Sequence, residues 1–116
     1  MAALRITSGE LDEVAVVWLD GRIVLGEETG ALRETVKSLL AQGKRKLILN
    51  MNNVTLIDSA GLGALVAAYS SSKSGGASLR ICHLGTKFNE LLQLTKLITL
   101  FEVYDTQADA MNSFLE

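Results

Sequence analysis

Proline is absent from the 116 residues, and cysteine, histidine and tryptophan each occur once. One cysteine forbids an intrachain disulfide and any multi-cysteine metal site, and one histidine forbids a histidine-rich one, so no metal or cofactor is expected. With proline missing, ten glycines supply the punctuation. No sign of charge dominates: 11 Lys and Arg against 13 Asp and Glu leave a net charge of −2 at pH 7. Such a balance gives no electrostatic case for nucleic acid or for an anionic membrane. No apolar run reaches membrane-spanning length, and the start, Met1 to Ile6, has no apolar signal-peptide core. A cytoplasmic location without membrane insertion is therefore expected. No linker or internal repeat divides the sequence, and the Ser-rich stretch 70–76 is too short to form a separate region. What is present is ample apolar content, 48% against 21% charged, enough to fill a core. One domain spanning 1–116 is expected.

The hydrophobic period divides the chain into elements. Leu4–Thr7 alternates apolar and polar residues, and 9–12 reads as a turn. Val14–Leu19 is a β-branched run suited to a strand buried on both faces. Asp20-Gly21 reads as a second turn, followed by a short strand at 22–24. From Gly26 the period becomes helical, with Leu32, Val36, Leu39 and Leu40 on one face and Gly43 past the end. Leu47–Met51 is a central strand. A helix from Ser59 carries Leu62, Leu65, Val66 and Tyr69 and stops at Gly75-Gly76. Leu79–Leu84 is a strand, and Thr86 is expected to cap a helix bearing Phe88, Leu91, Leu92 and Thr95. A short strand at 101–104 and a Thr106-x-x-Asp109 capping box close the sequence. Strands alternating with helices after an opening hairpin predict an α/β domain. Its sheet is mixed but mostly parallel, of four or five strands, with about four helices.

The segment Ile57-Asp58-Ser59-Ala60-Gly61-Leu62-Gly63 is the best candidate for function. It lies where a strand's C-terminal end feeds a helix, the rim on which α/β sheets build sites. Glycine costs about 1 kcal/mol against alanine in a helix. Gly61 and Gly63 therefore either open the backbone to a docking molecule or let the helix pack closely on a strand. Asp58 or Ser59 can serve simply as a helix cap. Sharper readings fail: the third glycine of a dinucleotide fingerprint and the Gly-Lys-Ser/Thr of a P-loop are missing, and Ser59 is not in a Gly-x-Ser-x-Gly elbow. His83 in an apolar run is a poor base for a Ser59 hydrolase, Cys82 reads as a small buried hydrophobe, and Trp18 as a sheet-packing residue.

The string Asp58-Ser59-Ala60-Gly61-Leu62-Gly63, after Leu47–Met51 and Val54–Ile57, resembles the signature of the STAS domain family, in particular its bacterial anti-sigma factor antagonists. Leu19–Ile23, Phe88–Leu97 and Phe101–Asp105 extend the resemblance almost end to end. It implies a non-enzymatic phospho-switch. The protein would bind an anti-sigma factor serine kinase when unphosphorylated, be released on phosphorylation of Ser59, and be restored by a serine phosphatase, thereby regulating transcription. Asp58, Ser59, Ala60, Gly61, Leu62 and Gly63 would form the partner-binding surface of a monomer or weak dimer. Many antagonists carry an acid shortly after the glycine of the second strand; here that stretch is Ile23-Val24-Leu25-Gly26. Lys96 stands where a glycine is common. The family also includes non-enzymatic subunits of lipid-transport ABC assemblies, the alternative reading.

Overall fold

The computed structural model describes residues 4–115. Strands β1 (Leu4–Leu11) and β2 (Val14–Ile23) precede helix α1 (Glu27–Ala41). Strand β3 (Lys46–Ile57), helix α2 (Ser59–Ser74), strand β4 (Ser78–Cys82) and helix α3 (Thr86–Leu94) follow. A 3-10 turn at Leu97–Thr99, strand β5 (Glu102–Tyr104) and helix α4 (Gln107–Asn112) complete the fold. The five strands lie in sequence order, β1 antiparallel to β2 and the rest parallel. This is the mixed, mostly parallel α/β sheet that the alternating pattern predicts. Successive crossovers in one direction, all of one hand, place their helices on one face of the sheet.

Two apolar clusters follow from that topology. On the first face, Ala15, Val17, Leu19, Leu47 and Leu49 pack under Leu32 and Val36 of α1, Leu65 and Ala68 of α2, and Leu92 of α3. On the second, Val14, Val16, Ile48 and Cys82 pack under Ala110 of α4, with Trp18, Tyr104, Met111 and Phe114 at the margin. The β2 run is thus buried on both faces, as its composition predicts. Removing Leu65 to its β-carbon would cost about 2–5 kcal/mol. Val66 and Leu91, expected in the core, are only half-buried. Val66 lies at the margin of the first cluster, and Leu91 lines a groove described below.

Several local expectations are corrected. Residues 9–11 continue β1, and the hairpin turns at Asp12 and Glu13, both left-handed at φ 49° and 67°. Asp20-Gly21 is not a turn. β2 runs straight through it, with Gly21 at φ 120°. Opposite it, β3 does not end at Met51 but continues to Ile57. Trp18 and Asp20 face Asn50 and Asn53, while Gly21 and Arg22 face Val54 and Leu56. Each step places one extra residue on β3, a pair of bulges that hides the two-residue period. Thr86 is the first residue of α3 and not its cap, which is Gly85 without a side-chain bond. Thr106 does cap α4, accepting from the Asp109 N–H. Lys96 is left-handed at φ 62°, the conformation for which glycine is the usual residue.

Candidate functional site

β3 has 12 residues, but only Lys46–Asn50 pair with β4. Its far half pairs with β2 alone, so it projects beyond β4 and carries the chain to Asp58 at the rim. Asp58 is extended, at φ −97° and ψ −175°, and is the N-cap of α2. One carboxylate oxygen accepts from the Gly61 N–H at 2.8 Å and the other from the Leu25 N–H at 2.9 Å. One side chain thereby ties the first turn of α2 to the loop between β2 and α1. The Leu25 and Gly61 N–H groups hold the Asp58 carboxyl below the usual aspartate value of 3.8.

Ser59, the first residue of α2, is exposed. Early backbone N–H groups of a helix lack intrahelical acceptors, and the helix dipole there favours negative charge. Ala60 and Leu62 are half-buried and Gly63 is exposed, whereas Gly61 is buried. A β-carbon on Gly61 would lie 1.9 Å from the Ile23 carbonyl oxygen; one on Gly63 would meet nothing within 4 Å. The two glycines thus divide the two readings given for them. Gly61 lets α2 seat on the end of β2, and Gly63 leaves open surface.

Two large apolar side chains on the rim segments are exposed, beside exposed Arg22, Glu27 and Thr55. Leu25 is 77% exposed and Leu56 52%. The projecting half of β3 and the start of α3 enclose a groove of about 190 Å³, lined by Val54, Leu56, Ile57, Phe88 and Leu91 with Lys87 at its edge. It exists because β4 stops short, leaving that edge of β3 to α3 alone. Sequence reading missed it because the turn-forming pair Asn52-Asn53 hid the strand extension.

The remaining candidates serve the fold. His83 follows β4 in a left-handed conformation, φ 58°, and its Nε2 accepts from the Gln107 N–H at 3.2 Å. It therefore faces α4 and is not arranged as a base for Ser59. Cys82 is fully buried, and burial pushes its thiol up to about 11. Trp18 packs on the sheet as expected and also donates Nε1–H to Gln107 Oε1 at 3.0 Å. Asn50, a buried polar residue, donates to the same oxygen at 2.8 Å. Neither Asn50 nor Gln107 carries any sequence signal of this role. Among the described residues, no group of His, Cys, Asp and Glu is placed to hold a metal ion, and no helix is long and apolar enough to cross a membrane.

An anti-sigma F factor antagonist of Paenibacillus polymyxa is 25% identical over 65 residues; the match spans 56% of this chain and 56% of that relative. A crystal structure of a Thermotoga maritima protein superposes with a TM-score of 0.88. It is 25% identical and covers 96% of this chain and 95% of its own. The Bacillus determinant SpoIIAA shares the fold in both its forms. The unphosphorylated form has a TM-score of 0.72, 14% identity and 97% coverage of each chain. The phosphorylated form has 0.71 and 16%, covering 97% of this chain and 99% of the other. Residues 5–110 match the STAS domain model, and the chain belongs to the STAS domain family.

Proposed function

We propose that this protein is an anti-sigma factor antagonist whose binding to a serine kinase partner is switched off by phosphate on Ser59. The observation that carries the reading is the exposed Ser59 at the first position of α2, beside a carboxylate already engaged by two backbone N–H groups. A phosphate there adds about −1.5 to −2 charge. The helix terminus tolerates it, so the fold persists while the surface facing the partner changes. The names of the curated relatives support the same direction.

The stretch Ile23-Val24-Leu25-Gly26 lies where many antagonists carry an acid, and the next acids here are Glu27 and Glu28. Leu25, Leu56 and the adjoining groove offer instead an apolar rim on which the kinase can dock. Restoration of the binding form would fall to a serine phosphatase acting on the same exposed position.

The test is a phosphorylation assay with the anti-sigma kinase from the source cell, read by mass spectrometry at residue level. Phosphate on Ser59 of the wild type, and none on Ser59→Ala, is the expected result. Kinase-independent binding to a transporter permease complex, with Ser59 left unmodified, would favour the lipid-transport assembly instead.

A further inference from the structure

Gln107, the first residue of α4, is bound from three strands' worth of structure. Its Oε1 accepts from Trp18 of β2 at 3.0 Å and from Asn50 of β3 at 2.8 Å, and its N–H donates to His83 beyond β4 at 3.2 Å. The six-residue α4 is the element that covers the second face of the sheet. Its N-terminal seat therefore rests on three hydrogen bonds, one of which needs an imidazole nitrogen acting as an acceptor.

From this geometry we infer that His83 is a pH-sensitive latch for α4, docked when the ring is neutral and loosened when it is protonated. A neutral imidazole has one acceptor nitrogen; an imidazolium has none. Protonation places a second hydrogen against the Gln107 N–H, donor facing donor, and leaves that N–H unpaired in a half-buried setting. The docking contribution is present while the ring is neutral and is lost when the ring takes up a proton. The charged and titratable groups on bordering segments are Arg80 on β4, Glu102 and Tyr104 on β5, Asp105 after it, and Asp109 on α4. β3 offers only Asn50, Met51 and Asn52 there. Arg80 and Glu102 pair with each other at 2.6 Å. Loosening α4 would uncover Val14, Val16, Ile48 and Cys82, an apolar surface on the face opposite the main helices.

The sequence makes the test clean, because it holds a single histidine and a single tryptophan. The intact protein is titrated from pH 8 to pH 5 while Trp18 emission and amide exchange at 107–112 are followed. A red shift of Trp18, and about a tenfold rise in exchange beyond its intrinsic pH dependence, should appear together as pH falls from 8 to 5. His83→Asn tolerates the left-handed backbone and offers an amide oxygen in place of the ring nitrogen, with nothing to titrate in this range. It should fold and stay flat over the same pH span. A wild type that is flat, or a transition that survives in His83→Asn, would overturn the latch.

Discussion

The Gly61 Cα faces the Ile23 carbonyl so closely that an added β-carbon would lie 1.9 Å from the oxygen. The obstruction is backbone, which cannot swing aside as a flexible side-chain tip can. Gly61→Ala is therefore expected to destabilise the fold by about 2–3 kcal/mol or more, measured by urea denaturation. A wild-type midpoint would show that α2 seats differently.

Gly63 makes the opposite case within the same turn. It is exposed, with nothing near its missing β-carbon. Gly63→Ala should raise stability by about 0.5–1 kcal/mol through helix propensity. Partner binding that weakens in this more stable variant would place Gly63 on the docking surface; unaltered binding would place it outside.

Asp58 should make stability depend on acid. Its carboxyl is held below the ordinary value, chiefly by the Leu25 N–H and then by that of Gly61. Its contribution is present above the ordinary carboxylate range and is lost as pH falls through the lowered native value. Asp58→Ala should be less stable than wild type at neutral pH, and the gap should shrink below about pH 4. Denaturant midpoints of both proteins across pH 7 to 2.5 measure it; a gap that stays constant would remove the carboxylate from the account.

Lys96 occupies a left-handed position, φ 62°, on exposed surface. Lys96→Gly should gain about 0.5–1 kcal/mol, since relief of the β-carbon outweighs the added chain entropy. Thermal unfolding of the two proteins decides it, and a lower midpoint in the glycine variant would contradict it.

The element order and the rim serine were legible because they rest on long apolar periods and a strand-to-helix junction. Val14–Leu19 signalled two buried faces, and the α1 stripe of Leu32, Val36 and Leu39 is buried as its spacing requires. The bulged pairing of β2 with β3 was not legible. Gly21, Asn52 and Asn53 have turn chemistry, and cross-strand pairing overrode it. The division of labour between Gly61 and Gly63 was equally hidden, because it depends on where the Ile23 carbonyl points. The Gln107 knot joins residues up to 89 positions apart, beyond the reach of any local pattern.

In the proposed switch, phosphate on Ser59 ends partner binding while leaving the fold in place. Its most direct measurement compares the chain carrying phosphoserine at Ser59 with the unmodified chain, each titrated against the purified serine kinase partner. Circular dichroism of both forms provides the fold control. Equal spectra with binding by the unmodified form alone is the expected result. Equal affinity of the two forms, or binding by neither, would contradict the account.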